Sequence, residues 1–450
     1  MKNFDLVIIG AGPGGYVAAI RGAQLGMKTA LVEKQKMGGC CLNWGCIPAR
    51  RLMESAKLYD RIRNASAGFG IEGIDPKALH FNWKKALSEK DRIVAKLVKG
   101  VEFLMRKNGV EVITGTASLD GPTNVRVGDG VLIAKNIIIA TGSRPDRSFA
   151  SSLPSGLAME IDDFYALAEI PERFVINGGD TVACEMANML HLIGKQVTIV
   201  TSHDKLMPWL DEACTSFVRE RFKKQGIKVL FETQITGARK GGVLVGNELV
   251  ECDLVLNCTE RTAVLPEMSD VRLDKKDGFL KTNEFMQTNV PNIYAIGDVT
   301  GTIFAHFASA QGSTATNHMA GINDPLDYDK LPVNIYLDPE IAAVGLTEEQ
   351  VKSRSIEYVK GEFPMSVNSK AMVEGQTDGF VKILADQQYG EILGVHIVSA
   401  RATDLIAEAV MSMSLEDTLE SMTKTVHAHP TISETFMEAG FKAIGKPLHV

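Results

Sequence analysis

The sequence predicts an α/β chain made of two doubly wound units followed by a smaller α+β domain, and three observations carry that expectation. Glycines 10, 12, 14 and 15 stand between a short apolar strand and an Ala-rich helix. The same order of strand, turn, helix and strand returns near residue 173. Beyond Leu331 the pattern changes to alternating strands followed by helices.

Asp5 to Ile9 is continuously apolar after its first residue, as a strand covered on both faces should be. Gly10-Ala-Gly12-Pro-Gly14-Gly15 follows, then a helix from Tyr16 to about Leu25, and then a strand, Lys28 to Val32, that ends in Glu33. This is the Rossmann-like dinucleotide fingerprint. Gly10 permits the tight turn, Gly12 lets backbone approach a pyrophosphate, Gly14 belongs to the same binding turn, and Gly15 allows helix to pack on strand. Glu33, about 20 residues on, is placed for the adenosine ribose hydroxyls.

Asn82 to Lys107 has helical periodicity, and Asn136 to Ala140 is an apolar strand closing on Thr141-Gly142-Ser-Arg-Pro145, a break that suits a domain boundary. The second unit reads as strand Arg173 to Asn177, turn Gly178 to Ala183, helix Cys184 to Leu192 and strand Gln196 to Val200. Near the end, Phe380 to Ala385 and Ile392 to Val398 are strands and Ala402 to Met413 is a helix. Met411, Met413 and Met422 are expected to fill core.

A chain of 450 residues has room for roughly three domains. The 48 basic residues against 55 acidic ones make no basic stripe, so neither nucleic acid nor an anionic lipid surface is expected as a partner. No apolar run approaches the ~20 residues that cross a bilayer, and the first strand begins within a few residues of Met1. A cytoplasmic protein without membrane insertion is therefore expected.

Seven cysteines in so long a chain do not make a secreted disulfide framework, and their spacing suggests no metal. Cys41 and Cys46 stand apart. They lie in Gly38-Gly-Cys-Cys-Leu-Asn-Trp-Gly-Cys46-Ile-Pro48, about 25 residues behind the phosphate-binding turn, a placement suited to dithiol and disulfide chemistry beside a bound cofactor.

With these cysteines behind the first fingerprint, a second unit in mid-chain and His427-Ala-His429-Pro-x-x-x-Glu434 near the end, the sequence resembles the flavin-dependent pyridine nucleotide-disulfide oxidoreductases, most closely their dihydrolipoamide-oxidising branch. The resemblance runs the full length. It includes Thr288 to Asp298, a segment that in this family returns to the flavin, and Tyr336 to Thr347, which opens the dimer-interface domain. It implies that FAD is held by Gly10, Gly12, Gly14, Gly15, Glu33, Arg50, Thr141, Gly142, Gly297 and Asp298, with Asp298 on the ribityl chain. Gly178 and Glu185 are implied for the second unit, which would take NAD. The implied boundaries are 1–146 and 270–328 for the FAD-binding domain, 147–269 for the NAD-like domain and 329–450 for the interface of a homodimer.

The family chemistry makes Cys41 the interchange thiol and Cys46 the flavin-proximal thiol, leaving Cys40 a spectator. Only a thiolate is a competent nucleophile, so a base is required. His429 of the partner subunit is the implied base, Glu434 would orient it, and His427 is secondary. The implied substrate is dihydrolipoamide, on a lipoyl-carrying protein or as a small dithiol, with electrons passing through FAD to NAD+. No cysteine follows Cys258, which counts against mercuric reduction. Glutathione reductases share most of these motifs, and the stretches around His429 and Phe304-Ala-His306 favour lipoamide.

The second unit departs from the family. With Glu185 aligned to the family glutamate, the three glycine positions hold Gly178, Asp180 and Ala183, while a frame shifted by one gives Asn177, Gly179 and Val182. A carboxylate at about 4 Å from a phosphate charge is unfavourable by up to ~4 kcal/mol at an effective dielectric of about 20, on the order of a thousandfold in affinity. Thr201 stands where the ribose-binding acid is expected, and Glu260 adds charge to a segment that lacks the family's glycine and proline. Either backbone contacts survive these changes or NAD affinity is lost, leaving a redox protein or quinone as acceptor. Arg50 also replaces the family lysine that pairs with the glutamate at Glu185, keeping the charge in a planar fork.

Overall fold

The computed structural model describes residues 1–259 and 261–449. The chain opens with β1 (Lys2–Ile9), α1 (Pro13–Gln24), β2 (Thr29–Glu33), α2 (Gly39–Asn43), α3 (Cys46–Ala65), α4 (Trp83–Lys107), β3 (Glu111–Thr114), β4 (Ala117–Asp120), β5 (Asn124–Val127) and β6 (Gly130–Ile139). β1 runs parallel between β2 and β6, which is why its Leu6 to Ile8 stretch is wholly buried. Pro13 starts α1 where its missing N–H costs nothing, and Asn82 caps α4 by accepting from Lys85 N.

The chain leaves this sheet through β7 (Ser143–Pro145) and builds α5 (Ser148–Ser152), β8 (Ala158–Glu160), α6 (Ile161–Phe164), β9 (Arg173–Asn177), α7 (Thr181–Leu192), β10 (Gln196–Val200), α8 (Glu212–Gln225) and β11 (Lys228–Leu230). A small antiparallel sheet of β12 (Ile235–Arg239), β13 (Gly242–Val245) and β14 (Glu248–Glu251) precedes β15 (Leu254–Asn257). The second sheet is ordered β11-β10-β9-β15-β8, paired in parallel. The order matches a doubly wound unit.

The return comes earlier than expected from the sequence. β16 (Arg261–Ala263) pairs with β7, and β17 (Glu267–Ser269) already joins the edge of the first sheet beside β4, ahead of the expected boundary at 270. Strand pairing settles the crossing point here, and the local composition carries no mark of it. After the short hairpin β18 (Lys275–Lys276) and β19 (Phe279–Leu280), β20 (Ile293–Ala295) lies along β6 and α9 (Ala305–Met319) packs on α1.

The last domain is an antiparallel sheet ordered β21-β22-β25-β24-β23, made of β21 (Val333–Ile335), β22 (Glu340–Gly345), β23 (Tyr358–Pro364), β24 (Phe380–Asp386) and β25 (Ile392–Ser399). Its helices are α10 (Glu348–Ser353), α11 (Ser369–Glu374), α12 (Ala402–Ser414), α13 (Leu419–Lys424) and α14 (Glu434–Ala443). Met413 and Met422 fill its core as expected. Met411 does not: it is 65% exposed, because two residues along a helix from Met413 is the opposite face.

A buried charge cluster ties this domain to the second unit. Asp211 caps α8 by accepting from Ala213 N and accepts Lys382 Nζ of β24 at 2.8 and 2.9 Å. Lys382 also meets Glu348 at 2.7 Å, and Glu348 N donates to Asp211. Burial pushes the Asp211 carboxyl up, yet His396, the Glu348 N–H and Lys382 outweigh it and hold it below its ordinary value. Glu348 is held low in the same way by Lys352 and Lys382, and burial pushes His396 down.

These directions share one sign. Lowered carboxylates and a lowered histidine all leave the folded chain with fewer bound protons than the unfolded one, so stability is lost as pH falls through about 6.5 and then through the carboxylate range. Lys382→Met should cost about 3–5 kcal/mol of unfolding free energy at neutral pH, because it strands Asp211. Urea unfolding measures this, and a change below about 1 kcal/mol would show that the cluster carries no such weight.

Candidate active site

The dithiol segment lies directly on the first fingerprint. Gly10 adopts φ +105°, and a Cβ there would stand 2.3 Å from Ala140 O. A Cβ on Gly15 would stand 1.9 Å from Gly10 O, and Gly14 faces Ala308 of α9. Gly12 caps α1 with nothing within 4 Å of an added Cβ, so the helix N-terminus is bare. Gly38 N donates to Ala11 O at 2.9 Å, and a Cβ on Gly39 would meet Gly12 Cα at 2.8 Å. Both residues have positive φ, which only glycine adopts cheaply, and they turn the chain into α2 with Cys41 two residues on.

None of the seven cysteines is bridged. Cys41 is half-buried and Cys46, exposed, is the first residue of α3. The neighbouring Cys46 thiol lowers that of Cys41 below its ordinary value against burial, Cys41 and burial raise that of Cys46, and Arg50 favours the thiolate at both. Burial drives Cys40 far up and leaves it protonated.

Arg50 lies four residues beyond Cys46, on the same face of α3. Its fork grips Glu185 of α7, Nη1 at 2.9 Å from Oε1 with Nη2 on Oε2, and its plane sits 3.9 Å over the Tyr336 ring. Tyr336 N donates to the same carboxylate at 2.9 Å. The buried Arg50 Nε has no partner within the chain, leaving a donor for a bound group. The Tyr336 bond comes from backbone, so no side-chain pattern in the sequence marks it.

Around Gly297 and Asp298 the chain builds a second polar line. Gly297 N donates to Gln311 at 2.6 Å, and Asp298 accepts the Ser143 hydroxyl at 2.6 Å. Ser143 in turn accepts Arg261 Nε at 2.8 Å, and Arg261 pairs with Asp162 at 2.8 Å. Burial raises the Asp298 carboxyl. Gly142, at φ +73°, accepts from Val264 N, and the Thr141 hydroxyl donates to Val264 O. Glu33 accepts from Ala11 N at 2.8 Å and from Gln35 N at 2.7 Å, fixed at the end of β2 beside the bare turn. Bare helix end, fixed carboxylate and orphaned guanidinium nitrogen together fit an adenine dinucleotide carrying a flavin.

His429 lies apart, between α13 and α14 of the last domain. Its Nδ1 is 2.9 Å from Glu434 Oε1, the ring is 70% exposed, and Thr431 N holds the other carboxylate oxygen at 2.8 Å. Burial raises Glu434, but the Thr431 N–H and His429 outweigh it and keep it low, so it is ionised at neutral pH and holds the ring. His427 is engaged by Glu408 at 2.7 Å.

A family model described as pyridine nucleotide-disulphide oxidoreductase matches residues 4–315, and that family's dimerisation domain matches 331–440. The chain belongs to the pyridine nucleotide-disulphide oxidoreductase family. Among curated relatives, a dihydrolipoyl dehydrogenase of Bacillus subtilis is 38% identical over 99% of both chains. The mitochondrial dihydrolipoyl dehydrogenase of Pisum sativum is 36% identical over 99% of this chain and 92% of its own. The crystal structure of LpdA from Mycobacterium tuberculosis shares the fold at a TM-score of 0.89 and 23% identity, covering 98% of this chain and 99% of that one.

Within this oxidoreductase the second unit repeats the first at a constant offset. Gly178 takes the place of Gly10, with φ +125° and a Cβ that would stand 2.8 Å from Cys258 O. Asp180 then takes the place of Gly12 as cap of α7, Ala183 that of Gly15, and Thr201 that of Glu33. The alignment through Glu185 is therefore the right frame. Asp180 is bonded to Thr181 N at 2.7 Å and Thr201 is buried, so the anion and ribose positions fit a nicotinamide dinucleotide poorly. Glu260 lies outside the described residues.

Removing Arg50 should shift thiol reactivity. In reduced holoenzyme carrying Arg50→Met with Glu185→Gln, which spares a stranded carboxylate, alkylation of Cys41 should move to higher pH and slow several-fold at neutrality. An unchanged pH profile would show that Arg50 does not hold the thiolate.

Proposed function

We propose that this chain is a homodimeric, FAD-dependent dihydrolipoyl dehydrogenase whose redox-active pair is Cys41 and Cys46. The observation that carries the reading is the placement of Cys41 on α2 and Cys46 at the start of α3, directly against the bare dinucleotide turn through Gly38 and Gly39, with Arg50 one helical turn beyond Cys46. Full-length likeness to dihydrolipoyl dehydrogenases supports it. In this reading residues 1–146, with the strands from Arg261 to about residue 328, hold FAD through Gly10, Gly12, Gly14, Gly15, Glu33, Thr141, Gly142, Gly297 and Asp298. Residues 329–450 form the interface of the dimer.

His429 of the partner subunit takes the proton of one thiol of dihydrolipoamide, with Glu434 fixing the ring and balancing the imidazolium. The resulting thiolate attacks Cys41 Sγ of the oxidised pair, and Cys46 leaves as thiolate, giving a mixed disulfide. The second substrate thiol, deprotonated in turn, attacks the substrate sulfur bound to Cys41. Lipoamide leaves and both cysteines are reduced. Arg50 stabilises the anionic pair, and Cys40, half-buried with its thiol held far above the ordinary value, stays out of the exchange. Bound FAD supplies the two-electron acceptor for the reduced pair.

The dithiol is a small molecule or a lipoyl-carrying protein. Among the described residues no helix is long and apolar enough to cross a membrane. A reducing cytoplasmic setting suits a thiol pair that must cycle. The family name makes a pyridine nucleotide the next acceptor, and the second unit's poor fit favours a second reading in which a redox protein or quinone takes that place.

Anaerobic stopped-flow mixing of holoenzyme with dihydrolipoamide tests the first half-reaction. Flavin absorbance should be lost rapidly; Cys41→Ser should abolish that loss while retaining bound flavin, and His429→Gln should slow it by about 10²–10⁴-fold. Unaltered reduction in Cys41→Ser would overturn the reading.

A further inference from the structure

A set of contacts across the second unit has no part in thiol exchange. The segment between β10 and α8 folds back over the N-terminus of α7. Thr201 is 3% exposed, its hydroxyl accepts from His203 N, and it would crowd a Cβ on Gly179 at 2.5 Å. Met207, at φ +47°, donates its N–H to Gly179 O at 2.9 Å. Trp209 Nε1 then donates to Asp180 Oδ1 at 2.7 Å, the oxygen that also accepts Thr181 N. The Trp209 ring packs edge-on to Phe304, the residue that caps α9 in the first domain, with centroids 6.4 Å apart.

Two physical consequences follow. A helix N-terminus attracts one anion through its free N–H groups and dipole, and here Asp180 already supplies that charge and occupies the Thr181 N–H. A pyrophosphate would have to displace a carboxylate that is latched by an indole N–H, against like-charge repulsion. The latch also spans two domains, since Trp209 rests on Phe304. Opening it exposes an aromatic contact as well as breaking a charge-assisted hydrogen bond. In the first unit Gly12 leaves the equivalent place bare.

We propose that Asp180, Thr201 and Trp209 are specificity determinants that set the second crevice against nicotinamide dinucleotides. Asp180 stands in for the pyrophosphate, Trp209 holds it there, and Thr201 withholds the carboxylate that would bind the ribose. This inference rests on the reading that the dithiol of this chain feeds a flavin held in the first domain, and it concerns the outlet from that flavin.

Calorimetric titration of oxidised holoenzyme with NAD+ tests it without turnover. Asp180→Asn keeps a capping side chain and removes the charge, and should tighten NAD+ by about tenfold or more; Asp180→Gly should tighten it further. Trp209→Leu should also tighten it, by releasing the latch. Adenosine, which has no pyrophosphate, should gain less than about twofold from Asp180→Asn. Failure of both Asp180 variants to tighten NAD+, or an equal gain for adenosine, would overturn the proposal. Dihydrolipoamide-driven loss of flavin absorbance is followed on the same samples. If that alone fails, the dithiol reading is at fault and the binding result stands.

Discussion

The carboxylate of Glu185 is the point on which the rest of the structure turns. It is buried on α7 of the second unit, gripped by Arg50 from the first domain and bonded by the Tyr336 N–H from the last. A buried charge without its partner costs several kcal/mol, so none of the three domains can drift without stranding Arg50 or Glu185. The pair also sits one helical turn from Cys46. Domain assembly and thiolate stabilisation thus depend on the same contact. A lysine would supply the charge, but the guanidinium adds a second bond to the carboxylate and a flat face on Tyr336, which suits a junction of three elements.

The two doubly wound units show how far a backbone can be kept while its chemistry changes. Strand, tight turn, helix and returning strand recur in the same order, with the turn and helix at one constant offset, down to the glycine whose missing Cβ lets a neighbouring carbonyl approach. The differences lie in side chains. Gly12 leaves a helix end bare where Asp180 fills it, and Glu33 presents a carboxylate where Thr201 presents a buried hydroxyl. Electrostatics at two positions separates a unit that fits a dinucleotide from one that resists it.

Much of this was legible in the sequence because the signals are local. The strands Arg173–Asn177 and Gln196–Val200 have their expected ends, and α4 fills the expected periodic stretch from Trp83 to Lys107, since apolar runs and helical periodicity act over a few positions. His429 and Glu434 could be paired because a turn separates them. What stayed hidden depends on distant contacts. Trp209 carries no motif and gains meaning only from Asp180 and Phe304. The Arg261 link through Ser143 to Asp298 joins three remote segments. Met411 broke a compositional expectation because helix phase, not residue type, decides burial. The return to the first sheet at Glu267–Ser269 is a matter of strand pairing that no local feature announces.

Cys41 and Cys46, and no other thiols, should exchange electrons with a dithiol. Differential alkylation with mass spectrometry of oxidised holoenzyme, before and after anaerobic addition of dihydrolipoamide, measures it most directly. A Cys41–Cys46 disulfide should resist alkylation at first, with both residues alkylated after the dithiol and Cys40 unchanged throughout. A pair that is fully alkylated in the oxidised enzyme, or a disulfide that includes Cys40, would contradict it.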